Sequence, residues 1–165
     1  MSNDHSSAPS EGEFQDPLEN YDPKTYEDGV EEALAEQSVE SIMHQPFATI
    51  PADTSVSVAM HKLSAFHIAC LMVEEDGKLV GVFSHRDVLD RVALEYDEVK
   101  DQCVREVMTS NPVYIYDTDP AAAALSVMAV SGYRHVPIVD SGERIVGIVS
   151  PQRVTAFLTK AFQSE

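Results

Sequence analysis

The chain has 165 residues, of which 44% are hydrophobic, and this is enough for one compact domain or for two small ones that share a core. Its 11 Lys and Arg residues against 28 Asp and Glu give a net charge of −17, which argues against binding to nucleic-acid backbones because that needs clustered cations. No stretch approaches the ~18 consecutive apolar residues of a membrane span, and the polar N-terminus has no secretory signal pattern. The sequence therefore predicts a cytoplasmic protein without membrane contact.

The acidic excess is concentrated near the N-terminus. Residues 1–38 hold 11 acidic residues and one basic residue, a net of −10, whereas the remaining residues hold 17 acidic and 10 basic ones, a net of −7. Residues 1–25 are rich in Ser, Asp, Glu and Pro, and this composition predicts a disordered acidic tail. The spacing of apolar residues over 26–38 predicts a lead-in helix that is broken or bent near Ser38.

An internal repeat organises the rest of the chain. At an offset of 65, Met43 falls on Met108. With one residue inserted, the offset becomes 66 and Gly81 falls on Gly147. Residues 79–84 (LVGVFS) then lie over residues 145–150 (IVGIVS), and six matched positions in a row are hard to obtain by chance. The sequence therefore predicts a first repeat over 39–98 and a second over 99–165.

Each repeat predicts the order strand, helix, strand, strand, helix. In the first repeat the elements are a strand over 47–50, a helix around 56–66, strands over 68–73 and 79–83, and a helix over 85–96. In the second they are a strand over 113–116, a helix from about 120 to 128, strands over 135–139 and 145–149, and a helix over 151–162. One such unit leaves a sheet face uncovered, so the two copies are expected to pack sheet to sheet in an α/β (α+β) fold.

Several segments carry a family pattern. The second repeat has VREVMT at 104–109, GYRHVPIVD at 132–140 and IVGIVS at 145–150. The first repeat keeps SIM at 41–43 and GKLVGVFSHRD at 77–87, but its strand at 68–73 (IACLMV) lacks the usual proline. On these segments the chain resembles a tandem pair of CBS domains (cystathionine beta-synthase domains), or Bateman module. The resemblance implies two β-α-β-β-α repeats related by a pseudo-two-fold axis.

The resemblance also implies a ligand site, because members of this family commonly bind AMP, ADP, ATP or S-adenosylmethionine in clefts between the two repeats. It implies that a Ser or Thr at a strand end, three residues before an Asp, contacts the ligand. An Asp carboxylate can accept hydrogen bonds from both ribose hydroxyls, and a Ser hydroxyl can bond to ribose or phosphate. By family geometry the opposite repeat completes the cleft and supplies the phosphate partners. The expected ligand-binding residues are Ser84, Arg86, Asp87, Pro112, Val113, Tyr114, Tyr133, Arg134 and His135.

The second copy departs from this pattern, because Arg153 stands where the ribose-binding Asp would be. We therefore expect one nucleoside-competent cleft and one altered cleft, which is either empty or has Arg153 reaching a phosphate. The expected residues of the altered cleft are Thr49, Ile50, His67, Ile68, Ala69, Ser150 and Arg153.

Structural alternatives stay open for the same residues. Ser84 and Asp87 also fit a capping box at the start of a helix, and Ser150 followed by Pro fits a helix N-cap. Arg134 and His135 could instead pair with surface acids. The capping and ligand-binding roles of Ser84 and Asp87 can coexist.

Catalysis finds no support in the sequence, which contains no Gly-rich phosphate loop, nucleophile elbow or paired-His motif. The histidines lack metal-ligand spacing, so no metal and no required cofactor are expected, and Cys70 and Cys103 are expected to be reduced thiols. The predicted function is a stand-alone regulatory module, not an enzyme, that binds an adenosine-type nucleotide and signals to a protein partner. A homodimer through the repeat helices is expected. The alternative is a ligand-free CBS scaffold for dimerisation or protein interaction.

Overall fold

The computed structural model describes residues 24–163, so the predicted acidic tail over 1–25 lies almost entirely outside the described residues. Within that range no helix is long and apolar enough to cross a membrane. The helices and strands, in chain order, are α1 (Gly29–Glu36), β1 (Thr49–Pro51), α2 (Val56–Ala65), β2 (Cys70–Glu75), β3 (Lys78–Ser84), α3 (His85–Asp87), α4 (Tyr96–Val99), β4 (Thr109–Ser110), β5 (Ile115–Tyr116), α5 (Ala121–Ser131), β6 (Val136–Val139), β7 (Ile145–Val149) and α6 (Pro151–Phe162).

The strands form two sheets with the orders β1-β2-β3-β4 and β5-β6-β7, and β4 joins the first sheet although its residues belong to the second repeat of the sequence. In both sheets the first strand runs parallel to the second, and the second runs antiparallel to the third. Ile50 pairs with Val73 in the first sheet, and Tyr116 pairs with Val139 in the second, so the pairing repeats at the same offset as the sequence. The predicted mixed α/β fold of two matching repeats is confirmed.

The first strand of each repeat is shorter than the sequence pattern indicates. The pattern predicts strands from 47 and from 113, whereas β1 begins at Thr49 and β5 at Ile115. A proline precedes each strand, Pro46 in one repeat and Pro112 in the other, and proline has no N–H to give to a strand ladder. Both strands therefore begin three residues after the proline.

Each core includes residues from the start of the other repeat. The core of the first repeat contains Val104, from the start of the second repeat, and the core of the second contains Val39, the first residue of the first repeat. The backbone N–H of Val39 donates to the carbonyl of Asp119 at 2.8 Å, and that of Val104 donates to Thr54 at 2.7 Å. The two repeats are therefore interlocked and not simply placed side by side.

The inner strands are buried on both faces. In β2, Leu71 and Val73 belong to the core of the first repeat, while Met72, which points to the opposite face, is only 1% exposed. In β6 all four residues are buried. Met72 and Val139 are buried although they lie outside both core clusters. Strands that are buried on both faces read as continuous apolar runs, as these do.

The last helix of each repeat differs between the two copies. Helix α6 (Pro151–Phe162) matches the predicted 151–162, whereas the helix predicted over 85–96 begins at His85 but ends at Val92. There α3 has three residues and continues as a wide π-helical turn over Val88–Val92, in which Ala93 N–H donates to the Val88 carbonyl at 2.8 Å. The widened turn contains Arg91, whose guanidinium is turned inward to polar atoms described below.

The lead-in segment is broken near Ser38, with α1 ending at Glu36. Helix α1 begins after Asp28, whose side chain accepts a hydrogen bond from Glu31 N at 2.8 Å, and the chain then turns at Ser38 into a short 3-10 helix over Val39–Ser41. Helix α1 packs against α5 and α6 of the second repeat. It therefore precedes the first repeat in sequence but belongs to the second in space.

Candidate functional site

The end of β3 places Ser84 and Asp87 at the start of α3, at the boundary between the two repeats. The Asp87 carboxylate accepts from the backbone N–H of Ser84 at 2.9 Å and from its hydroxyl at 2.7 Å. These are contacts expected at a helix start, so the structural alternative raised by the sequence holds for this pair. Asp87 is only 5% exposed and is the one buried charged residue of the described chain.

The other carboxylate oxygen of Asp87 is engaged across the repeat boundary. Thr109 Oγ1 donates to Asp87 Oδ1 at 2.7 Å, and Arg91 Nη1 lies 3.3 Å from the same oxygen. The same Arg91 nitrogen also donates to the carbonyls of Val107 (3.0 Å) and Met108. The buried charge of Asp87 is therefore balanced by one cation and three hydrogen-bond donors, as a buried carboxylate requires.

A small cleft opens above Asp87, and we call it the Asp87 cleft. Its free volume is about 60 Å³. The second repeat closes it through Pro112, Val113, Tyr133 and His135, which the sequence placed in this cleft together with Ser84, Arg86 and Asp87. Its walls are Val82, Ser84, Arg86, Asp87, Thr109, Pro112, Val113, Tyr133 and His135.

Two of the residues expected in this cleft do not line it. Tyr114 packs edge-on against Tyr116, with ring centroids 5.8 Å apart, and Arg134 is exposed at the entrance to β6. Conversely, Thr109 was missed. The sequence offered a sign of its role, because Thr109 is the last residue of the VREVMT segment. In the structure β4 pairs with β3, and Thr109 lies opposite Val82.

A second and much larger cleft lies on the other side of the repeat boundary, and we call it the His44 cleft. Its volume is about 550 Å³. Four of the residues that the sequence placed in the altered cleft, His67, Ile68, Ala69 and Ser150, line it. The complete wall is His44, Pro46, Phe47, Ala48, Phe66, His67, Ile68, Ala69, Cys70, Met72, His135, Ile148 and Ser150.

Thr49, Ile50 and Arg153 do not line this cleft. Ile50 is fully buried in the core of the first repeat, and β1 takes Thr49 into the sheet. The residues just before β1 line the cleft instead, including Phe47, which is the repeat counterpart of Val113 in the Asp87 cleft. The repeat offset of 66 therefore applies to the residues before β1 as well. The residues expected in the cleft, Thr49 and Ile50, were placed two positions too far along the chain.

Arg153 does not line the His44 cleft, but it contacts His44, which does. Its Nη2 lies 2.5 Å from His44 Nδ1. A guanidinium can only donate, so Nδ1 is the acceptor and the imidazole carries its proton on Nε2. Arg153 also borders a separate groove of about 520 Å³ between α1 and α6.

His135 is the one residue that the walls of these two clefts share. Burial lowers its pKa below the usual value, and the nearby His85 and Arg134 lower it further. Its counterpart in the first repeat is Ala69, which is too small to reach across. The two clefts are therefore adjacent, and a neutral imidazole separates them at neutral pH.

The described part of the chain offers no reactive thiol at these clefts. Cys70 and Cys103 are both free, and burial raises the pKa of Cys70 to about 12, with a smaller contribution from Asp87. Such a thiol stays protonated and is a poor nucleophile. Between residues 24 and 163 no three His, Cys, Asp or Glu side chains are grouped as metal ligands.

Known families and structures share this architecture. The CBS domain family model matches residues 39–94 and 104–160. The CBS domain-containing protein CBSCBSPB3 of Arabidopsis thaliana is 32% identical over 111 residues, which is 67% of this chain but 20% of that protein, so the chain spans about a fifth of this relative. A CBS domain-containing protein of Dictyostelium discoideum is 28% identical over 76% of this chain and 93% of its own length. A CBS domain protein from Pyrobaculum aerophilum, solved in complex with AMP, superposes with a TM-score of 0.67 at 21% identity, over 77% of this chain and 99% of that one.

Proposed function

This chain belongs to the CBS domain family, with two copies in tandem, and from that premise we propose that it is a regulatory module that binds an adenosine-type nucleotide in the Asp87 cleft. The observation that carries the proposal is the pair of hydroxyl donors on the buried Asp87 carboxylate. Ser84 Oγ donates to one oxygen and Thr109 Oγ1 donates to the other, each at 2.7 Å.

Two vicinal ribose hydroxyls present the same arrangement of donors. A ribose could therefore replace both protein hydroxyls, one on each carboxylate oxygen, and leave the buried charge fully hydrogen-bonded. The displaced hydroxyls of Ser84 and Thr109 can rotate and donate to other oxygens of the same ligand. The exchange keeps the number of hydrogen bonds on Asp87 unchanged, so burying the ribose does not leave the acid unsatisfied.

The other walls suit the remaining parts of a nucleotide. Pro112, Val113 and Tyr133 offer apolar surface to a base, and Arg86, whose exposed guanidinium lies 3.5 Å from Asp90, offers a cation to a phosphate beside the cleft. With only 11 Lys and Arg residues in the chain, a cation at a cleft mouth is a scarce feature. The AMP complex of the Pyrobaculum relative concerns that protein, and it supports the choice of the adenosine class here.

The volume of about 60 Å³ ties binding to a change in shape. Small-molecule sites usually offer roughly 300–1,000 Å³, so a nucleotide must widen this cleft. Ser84 and Asp87 belong to the first repeat, whereas Tyr133 and His135 belong to the second, so widening moves one repeat against the other. A ligand that binds the open arrangement better shifts the population toward it, and a protein partner that contacts both repeats can sense that shift.

The test compares AMP with its dideoxy analogue, which lacks both ribose hydroxyls, by calorimetry on the wild-type chain and on Asp87→Asn. We expect AMP to bind and the dideoxy analogue to bind at least about tenfold more weakly, since losing a charge-assisted hydrogen bond typically costs about 1.5–3 kcal/mol. Asp87→Asn is expected to lose the preference between the two ligands. Asp97→Asn, on exposed α4 away from the cleft, is the matched control. Equal affinity for AMP and its dideoxy analogue on the wild type would contradict the assignment of Asp87.

A broader thermal-shift screen with AMP, ADP, ATP, GTP and S-adenosylmethionine identifies the class. A ligand at 100 times its Kd should stabilise the fold by about 2.7 kcal/mol. Absence of a shift with every one of them would favour the second candidate function, a ligand-free scaffold for dimerisation or protein interaction. Two observations favour that candidate: the small free volume, and the fact that all the hydrogen bonds of Asp87 are already made within the protein.

A further inference from the structure

The larger cleft, around His44, has its own chemistry, which differs from that of a nucleoside site. Its volume of about 550 Å³ lies within the range of small-molecule sites, whereas the Asp87 cleft does not reach it. Much of its wall is apolar, with Phe47, Ile68, Met72 and Ile148 among the lining residues. A ligand with an apolar body of modest size can be accommodated here without moving the repeats apart.

The polar groups of this wall include no acid. Among residues 24–163 no Asp or Glu lines the His44 cleft, whereas His44, His67 and His135 do. Ser150 adds a hydroxyl that makes no capping hydrogen bond at the start of α6. The cleft therefore offers imidazole and hydroxyl groups in a protein whose surface is otherwise strongly acidic, and such a lining disfavours cations and favours anions.

The pair of His44 and Arg153 explains why a ribose would not be held as it is in the Asp87 cleft. Under the two repeat offsets His44 falls on Thr109 and Asp87 falls on Arg153, so the two pairs occupy corresponding positions. The acceptor carboxylate of one cleft is a donor guanidinium in the other, and it is turned onto His44 Nδ1 at 2.5 Å. Two ribose hydroxyls find no carboxylate here, while the proton on His44 Nε2 makes that imidazole a hydrogen-bond donor.

From these features we propose that the His44 cleft binds a small organic anion whose apolar, planar body carries one acidic group and no ribose diol. The body packs against the apolar wall, and the acidic group accepts hydrogen bonds from His44 and Ser150. Arg153 is a positioning residue: it fixes the tautomer of His44 and adds positive charge behind it. This proposal does not rest on nucleotide binding in the Asp87 cleft.

Two dyes with the same kind of aromatic body separate the charge from the apolar contact. Anilinonaphthalene sulfonate carries an anionic group, and N-phenyl-naphthylamine lacks it; both report binding by fluorescence and are titrated into the full chain. We expect the sulfonate to saturate one site per chain and to bind at least about tenfold more tightly than the neutral dye, the difference that one charge-assisted hydrogen bond supplies. Arg153→Gln and His44→Leu should weaken the sulfonate about tenfold and change the affinity of the neutral dye less than twofold.

Control variants locate the site. Val130→Ser alters the most exposed apolar side chain of α5, and Asp87→Asn alters the other cleft; neither should change the affinity for the sulfonate. Equal losses for both dyes in Arg153→Gln, or no loss for either, would overturn the proposal. The proposal would also be overturned if AMP displaced the sulfonate completely and if Arg153→Gln weakened the binding of AMP. The His44 cleft would then be a nucleotide site. Failure of AMP to bind anywhere contradicts only the proposed function, so the two failures are distinguishable.

Discussion

The guanidinium of Arg153 meets the imidazole of His44 at the position that corresponds to the contact of Asp87 with Thr109 in the other half of the molecule. The two contacts measure 2.5 Å and 2.7 Å, and both join the third residue of a helix to the residue after the Val-Met or Ile-Met pair of the opposite linker segment. The two contacts occupy equivalent backbone positions, but the acidic residue of one pair, Asp87, is replaced by the basic residue Arg153 in the other. One cleft is closed around an acid, and the other is open beside a cation.

The hydroxyl of Thr109 is expected to stabilise the fold through Asp87. Thr109→Val removes one of the donors to a carboxylate that is 5% exposed, and such a loss costs about 1–3 kcal/mol. Thr155→Val is the matched control, because the Thr155 hydroxyl donates only to the Pro151 carbonyl within its own exposed helix. Urea unfolding followed by circular dichroism measures both. A loss for Thr109→Val no greater than that of the control would contradict a structural role for the contact.

The close approach of Met108 to β3 is expected to make a side chain at Gly81 destabilising. A Cβ added there would overlap the Met108 sulfur, whose side chain is buried, and overpacking of this kind costs about 1–3 kcal/mol. Gly142→Ala, at the exposed β6–β7 turn, is expected to cost less, because the nearest atom to its Cβ is a carboxylate oxygen of the partly exposed Asp140, 3.2 Å away, which can shift. Combining Gly81→Ala with Met108→Ala should cost less than the sum of the two single changes. Strict additivity in that double-mutant cycle would show that the two positions do not meet.

The expected homodimer stays a prediction, and α5 gives it a test. Helix α5 has no charged residue, and Val130 on its outer side is 88% exposed. Val130→Glu should shift a dimer toward monomer in sedimentation velocity runs, because a charge in an apolar interface is left unpaired. Ser141→Glu adds the same charge at the β6–β7 turn and should leave the association state unchanged. A wild-type chain that sediments as a monomer at all concentrations would end the dimer hypothesis.

The repeat made the fold accessible from sequence, because two copies of one apolar pattern constrain each other. The failures occur where backbone conformation departs from that pattern. His67 adopts a left-handed conformation with φ of 53°, and the Ile68 N–H caps α2 by donating to Leu63, so β2 starts two residues later than its apolar run. The π-helical turn around Arg91 serves contacts with a distant linker, and periodicity within one segment carries no trace of them.

The same distinction holds for the two clefts. The sequence pattern of Ser84 and Asp87 predicted most of the residues of the Asp87 cleft, because this pattern lies at the end of strand β3. The contact between His44 and Arg153 joins residues that are far apart in the chain, and it becomes visible in the sequence only if the repeat offset is applied to the linker as well as to the strands. Cleft volume depends on how side chains from both repeats fill the shared boundary, and no local pattern encodes that.

The position of His135 between the clefts predicts a pH dependence of stability. Burial, helped by His85 and Arg134, lowers the pKa of His135 in the folded state below its unfolded value. As the pH falls through the unfolded pKa, the unfolded chain takes up a proton that the folded chain resists, so the free energy of unfolding decreases. Between about pH 7.5 and about pH 5.5 the wild type should therefore lose more stability than His135→Asn. The urea midpoints at the two pH values measure this, with His61→Asn on the exposed side of α2 as the control. The groups that all three proteins share contribute equally, so their effects cancel in the comparison. An equal loss in the wild type and in His135→Asn would mean that the imidazole between the clefts is not the group that resists protonation.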